Sequence, residues 1–339
     1  MINNIYAKIK DFLINNYKEI IFLILFYIAL TFPLPYYIYF GGGTIDLNDR
    51  YTVENANKIN GSYNLAYVSE IRATTTTYLL SYILPDWERI KIDDYKRTEE
   101  ESAEDILTRN KLALENANQT AIYFAYSKAN KEIETIKSNN YIIYIDKSVE
   151  ANLKIGDIIL KADDTKIDNI DTLRNIIEQK EVNDVIQLTL LRNKKETIIE
   201  IKVQLIDNQK KIGIDMVTIN EYKSNPKINL NFKKSETGSS GGLMLTLSIY
   251  DSLSEEDLSN NLKIVGTGTI DENGNVGEIG GVKYKLKGAV KGDADIFIVP
   301  YGNNYEECLK LQKENNYNIK IIGVKTFDEA IEELKKIKE

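Results

Sequence analysis

Histidine is absent from all 339 residues, and cysteine occurs once, at Cys308. Without histidine a Ser-His-Asp triad is ruled out, and so is a Cys-His nucleophilic pair. A lone cysteine closes no internal disulfide, and with no histidine beside it a zinc site lacks ligands. Carboxylates alone could still hold a metal, but no aspartate-rich loop of calcium-binding spacing is visible, so no metal is expected. Positive charge is also scarce: 43 Lys and Arg stand against 51 Asp and Glu, a net charge of −8. That balance argues against nucleic acid as a partner and against a polybasic membrane-binding surface. There is no Walker sequence and no dinucleotide fingerprint, so no nucleotide cofactor is expected either.

Charge is missing altogether from Ile20–Phe40, a stretch of 21 residues. As one helix it would span roughly 30 Å, about one bilayer core. Lys8, Lys10 and Lys18 precede it, whereas Arg50 alone follows within about fifteen residues. The bias predicts a single-pass protein of the cell membrane: residues 1–19 a cytoplasmic tail, 20–40 a transmembrane anchor, and the C-terminal body extracellular. Pro33 and Pro35 are expected to bend or end the helix near the outer leaflet, leaving Tyr36, Tyr37 and Tyr39 at the interface. A cleaved signal peptide is the rival reading, but the run is long for one and Phe40-Gly41-Gly42-Gly43 offers no Ala-x-Ala site. A buried core helix would show a polar face, and none interrupts the run.

Beyond the glycines, Tyr51–Ile71 reads as strands around the turn signal Asn60-Gly61. Helical spacing follows at Thr74–Leu84, stopped by Pro85, and at about Glu101–Lys131. From Asn139 to about Leu205 the texture becomes short strands: Tyr141–Ile145, Ile158–Ala162, Val185–Leu191 and Thr197–Leu205, with a helix at Asp171–Gln179. The remainder alternates strand and helix: strands at Lys263–Ile270, Ile296–Pro300 and Asn318–Val324, helices at Val282–Lys291 and Thr326–Ile337. The last helix carries a capping-box pattern, Thr326-x-x-Glu329.

The chemistry rests on Gly238-Ser239-Ser240-Gly241-Gly242 ahead of an apolar run, and on Gly280-Gly281-Val282-Lys283-Tyr284-Lys285. A serine needs a base within hydrogen-bond reach. With no histidine, a lysine whose pKa burial lowers toward neutrality is the best candidate. Taken alone, the glycine-serine string is more often a turn or an anion-binding nest, and Lys285 more often one of several solvated lysines beside Lys283, Lys287 and Lys291.

The order of motifs is more specific. Leu153-Lys154-Ile155-Gly156-Asp157-Ile158-Ile159-Leu160-Lys161-Ala162-Asp163, with Ile167, resembles the signature of PDZ domains. Such domains capture extended chains by adding a strand to a sheet edge, so the segment is expected to select substrate. Its carboxylate-binding loop would fall at Ser138-Asn139-Asn140-Tyr141, which lacks the usual glycine. A small structural α+β insert is the alternative. Gly238–Gly242 resembles the Gly-Pro-Ser-Ala-Gly nucleophile motif of Lon-type proteases. Thr267-Gly268-Thr269-Ile270, Gly274-x-Val276 and Gly280–Lys285 are similar to that family's second block. With Leu30–Tyr37 after the anchor, the chain resembles membrane-anchored PDZ–Lon-like serine proteases of Gram-positive bacteria, some of which trim secreted signalling peptides. The resemblance implies an α+β protein: a transmembrane helix, then a Lon-type proteolytic α/β domain (44–138 and 207–339) with a PDZ-like domain (139–206) inserted. It implies Ser240 as nucleophile with Ser239 as alternate, Lys285 as base, and Thr267 holding the lysine, with Gly238 and Gly241 flanking. Ser239 replaces the motif's proline, Gly241 its alanine, and Thr237 the aspartate that often precedes the first glycine. The ATPase module is missing, so ATP is not an expected partner and substrates should be short or already extended. A non-catalytic anchored PDZ scaffold with a degenerate protease fold is the competing class.

Overall fold

The computed structural model describes residues 2–338. Met1 and Glu339, the outer ends of the expected tail and of the expected peptidase segment, lie outside the described residues. The chain divides into two compact units. One runs up to Gly41 and resumes over Ser69–Tyr95; the other takes Gly42–Val68 and the chain from Lys96 onward.

In the first unit the uncharged stretch does not form the expected helix over 20–40. A 15-residue helix covers Tyr17–Thr31, and Phe32 turns extended at φ −59° and ψ 124°. A proline forces the residue before it out of the helical region and supplies no N–H of its own. Pro33 therefore ends the helix and opens a strand, in which Tyr36–Tyr39 pair with Glu88–Lys91. The helix is about 22 Å long, short of the ~30 Å core of a bilayer. Among the described residues no single helix is long and apolar enough to cross a membrane. The bent pair Lys8–Asn15 and Tyr17–Thr31 passes together by length and composition, with 72° between its halves. The helix expected at 74–84 is shorter, Thr75–Leu80, capped by Thr74. Its Thr76 Oγ1 donates to the Leu30 carbonyl at 2.9 Å. Leu79, Tyr82 and Ile83, at and just beyond its end, are 58%, 64% and 77% exposed.

The second unit is built on four parallel strands in the order Lys320–Val324, Ile296–Pro300, Lys263–Gly266 and residues 62–65. Side chains alternate across this sheet. Ile264, Ile296, Ile298 and Ile322 join one cluster with the helices Ala103–Lys128, Gly242–Leu253 and Phe327–Lys338. Val265, Phe297, Val299 and Ile321 face the other way, toward the helices Val282–Lys291 and Asn303–Asn315. The hairpin suggested by Asn60-Gly61 does not form: residues 62–65 pair with Lys263–Gly266, and Tyr51–Val53 with Ile228–Leu230. Half of the C-terminal capping box is present. Thr326 Oγ1 accepts the Glu329 N–H at 3.2 Å, but the Glu329 carboxylate takes the Lys325 N–H at 2.7 Å.

A further cluster encloses Ile142, Ile159, Leu173, Ile177, Leu188 and Leu190. It is formed by strands Glu132–Ile145, Ile158–Ala162, Val185–Arg192 and Lys195–Lys202 with the helix Ile170–Glu178. A fifth strand, Ile214–Asn225, lies outermost against Glu132–Ile145. The expected ligand loop 138–141 is not a loop: its residues lie inside the continuous strand Glu132–Ile145, paired throughout with 217–220.

Candidate active site

All residues of the helix Gly242–Leu253 but Tyr250 are buried, and Leu243, Met244, Leu247 and Ile249 are each 0% exposed. The helix thus sits inside its domain, its buried Thr246, Ser252 and Asp251 satisfied by hydrogen bonds, and its head carries Gly238-Ser239-Ser240-Gly241. That loop is held from both sides. Gly238 adopts φ +89°, the left-handed region a side chain disfavours, and donates its N–H to the Asn110 carbonyl at 3.0 Å. Upstream, Arg50 donates through Nε to Glu236 Oε1 at 2.9 Å, while Glu236 Oε2 accepts the Lys233 N–H at 2.8 Å. A Cβ at Gly241 would lie 2.9 Å and 3.0 Å from the two Leu65 methyls. Leu65 thus accounts for the glycine that stands where the resembled motif has alanine.

Ser240 is half-buried, and its carbonyl is held twice, by the Gly268 N–H at 2.8 Å and by Thr267 Oγ1 at 2.9 Å. Lys285 Nζ donates to the same Thr267 Oγ1 at 3.1 Å. Lys285 and the backbone of Ser240 therefore meet at one hydroxyl, that of Thr267; these are the residues that the resemblance to Lon-type proteases implied. Ser239 stands differently: its carbonyl accepts the Gly242 N–H at 3.2 Å, on the helix side of the loop. The hydroxyl proton of Thr267 is committed to the Ser240 carbonyl, so the threonine offers its lone pair to the lysine. A neutral amine has two N–H bonds and one lone pair. Spending an N–H on Thr267 leaves that lone pair free to take a proton.

Lys285 is 4% exposed and Thr267 is 0% exposed. Along the same helix Lys283 and Lys291 are exposed and Lys287 is half-buried, so helical geometry singles out Lys285. Burial disfavours the ammonium and brings its pKa down from 10.5 to about 8. The helix bearing it starts at Gly281 with φ +69°.

Three supports were not singled out in the sequence. Asn304 grips Ile279 at both ends, its Oδ1 accepting the Ile279 N–H at 2.9 Å and its Nδ2 donating to the Ile279 carbonyl at 3.0 Å. This fixes the loop that enters the Lys285 helix. The Arg50–Glu236 pair and the Leu65 contact are the others, and all three join residues remote in sequence. No local pattern marks such pairs.

Comparison with known proteins places these residues in context. Residues 224–336 match the Lon protease (S16) C-terminal proteolytic domain, and residues 131–203 match the PDZ domain. Lon protease 2 of Bacillus subtilis is 34% identical over 97 residues, 29% of this chain and 16% of that protein. Lon protease of Campylobacter jejuni is 35% identical over 96 residues, 28% of this chain and 12% of that one. The chain thus spans well under a quarter of either of these relatives. The PDZ domain of an SdrC-like protein from Listeria monocytogenes is similar at 22% identity, covering 25% of this chain and 93% of that structure, with a TM-score of 0.23. The chain is mixed α+β and carries a PDZ segment followed by a Lon-type serine-peptidase segment.

Proposed function

We propose that the chain is an ATP-independent serine endopeptidase in which Ser240 is the nucleophile and Lys285 the general base. The observation that carries the reading is the buried amine of Lys285, 4% exposed, resting on a threonine that also holds the Ser240 carbonyl. Burying a charged amine costs several kcal/mol, and fixing Thr267 alone would not require one. In the reaction the Ser240 Oγ attacks the scissile carbonyl carbon while its proton passes to the Lys285 Nζ. The resulting oxyanion gains from backbone N–H groups and the positive end of the Gly242–Leu253 helix. Lys285 then gives its proton to the leaving amine as the C–N bond breaks, and water releases the acyl group from Ser240. A fluorophosphonate should label the wild type and fail to label Ser240→Ala, while Ser239→Ala keeps labelling and cleavage. The opposite pattern in the two serine variants would move the nucleophile to Ser239.

The same reading places the peptidase at the outer face of a cell membrane, held by the apolar N-terminal segment, with short or extended secreted peptides as substrates, signalling peptides among them. The helix Tyr17–Thr31, uncharged from Ile20 onward, and the lysines Lys8, Lys10 and Lys18 ahead of that stretch support this orientation. Protease added to intact protoplasts should digest the body from Thr44 onward. Protection of that body would refute the outward orientation.

A further inference from the structure

PDZ domains take peptides by strand addition, which needs a sheet edge with unpaired N–H and C=O groups. In this chain that edge is taken. The strand following the expected ligand loop, Tyr141–Ile145, meets the strand Ile158–Ala162 on one side, where Tyr141 pairs with Ile158 and Ile142 exchanges backbone hydrogen bonds with Gly156 and Asp157. On the other side it is paired with residues 214–217, through Ile145 with Ile214, Ile142 with Met216 and Tyr141 with Val217. The occupying strand lies almost wholly outside both matched segments, which end at 203 and begin at 224. Its Met216 is 8% exposed, in one apolar cluster with Leu173 and Ile177 of the helix Ile170–Glu178.

The place of the carboxylate loop is filled as well. Asn140 is 2% exposed; its Nδ2 donates to the Ile167 carbonyl at 2.7 Å and its Oδ1 accepts from Thr218 Oγ1 at 2.8 Å. Ser138 Oγ donates to Asn220 Oδ1 at 2.7 Å. The opposite edge of the sheet, Lys195–Lys202, carries Lys195, Glu196, Glu200 and Lys202, charges of the kind that discourage strand addition.

We propose that the strand Ile214–Asn225 is the resident ligand of this PDZ segment, bound in cis, and that the segment serves the peptidase as a clamp. Beyond Asn225 the chain pairs Ile228–Leu230 with Tyr51–Val53 and reaches Glu236, Gly238 and Ser240. Holding the strand therefore fixes one end of the nucleophile loop. A tethered occupant acts at an effective concentration of about millimolar, so free peptides of similar contacts do not displace it. Substrates reach Ser240 without passing through the PDZ edge. The clamp role rests on the peptidase reading above, whereas the occupancy does not.

The test uses the full chain and a labelled synthetic peptide with the sequence of residues 212–222. By fluorescence anisotropy the wild type should show no saturable binding well below millimolar peptide. Met216→Asp, which puts a carboxylate into the apolar cluster, should bind it. The same variant should lose about a hundredfold in the rate of fluorophosphonate labelling at Ser240, the effect of misplacing a reacting group by about 1 Å. If that variant does not fold, a Tyr141→Cys, Val217→Cys pair tests the same point, since opposed Cβ atoms in a ladder lie within about 5.5 Å. Native Cys308 is buried and its thiol pushed up, so it does not compete. The cross-linked protein should keep the peptide-cleavage rate of its reduced form. Saturable binding by the wild type would overturn the occupancy, and the anisotropy decides this whether or not Ser240 reacts. Loss of cleavage on cross-linking that reduction restores, or unchanged labelling in a folded, peptide-binding Met216→Asp, would overturn the clamp.

Discussion

At the scale of single residues, Lys285 sets chemistry against stability. Its amine accepts a proton only when neutral, so kcat/KM should rise with pH through about 8 and still be climbing above neutrality. A profile that falls from acid toward neutral pH would point to a carboxylate base. The stability effect has a definite sign. The folded pKa lies below the unfolded value of 10.5, so between about 8 and 10.5 the unfolded chain holds a proton that the folded chain has released, and stability rises with pH across that window. At neutral pH the buried ammonium costs about 3 kcal/mol. Lys285→Met should therefore abolish cleavage yet raise the urea midpoint near neutrality, with the gain shrinking between about pH 8 and 10.5. An unchanged or lower midpoint would mean that the amine is not confined as described. Gly241→Ala should lower stability by about 1–3 kcal/mol through its clash with Leu65, and Leu65→Ala should relieve that penalty in the double variant. Additive losses would exclude the contact as the reason for the glycine.

At the scale of elements, Asn304→Ala should cost about 1–3 kcal/mol by leaving the Ile279 N–H and carbonyl without their partner. Because this loosens the entry to the Lys285 helix, Ser240 labelling should slow as well. Loss of stability with labelling unchanged would make Asn304 structural only. Legibility in the sequence divided along similar lines. The strands Ile158–Ala162 and Ile296–Pro300 and the helix Val282–Lys291 stand where their apolar patterns put them, because each buries a pattern that lies within one short window. The helix Asn303–Asn315 was missed: Asn304 and Cys308 are its buried residues, too few to draw an apolar stripe. The Asn60-Gly61 signal misled for a different reason. A turn signal reports the local bend, whereas the partner strand, Lys263–Gly266, lies two hundred residues away. Ser240, Thr267 and Lys285 were singled out only through the resemblance of ordered motifs to a known family; the contacts around them, Arg50 to Glu236 and Asn304 to Ile279, were not legible at all.

At the scale of the whole molecule, the proposed membrane attachment needs more apolar surface than a 15-residue helix provides. On that proposal the added surface comes from Leu79, Tyr82 and Ile83, exposed in the same unit, where Thr76 hydrogen-bonds Leu30. Tyr82→Asp with Ile83→Asp should weaken flotation of the full chain with anionic vesicles by about tenfold or more, leaving Ser240 labelling intact. Equal flotation of the variant would remove this loop from the attachment. The strand Ile214–Asn225 also bears on how the protein can be cut. Boundaries drawn by family likeness stop at 203 and restart at 224, and both cuts discard most of the strand that closes the sheet. A fragment trimmed to residues 131–203 would expose a vacant edge and a bare apolar groove, and would collect extended peptides in a binding screen. Those partners would be artefacts of the scissors, recognising a surface that the uncut polypeptide never offers.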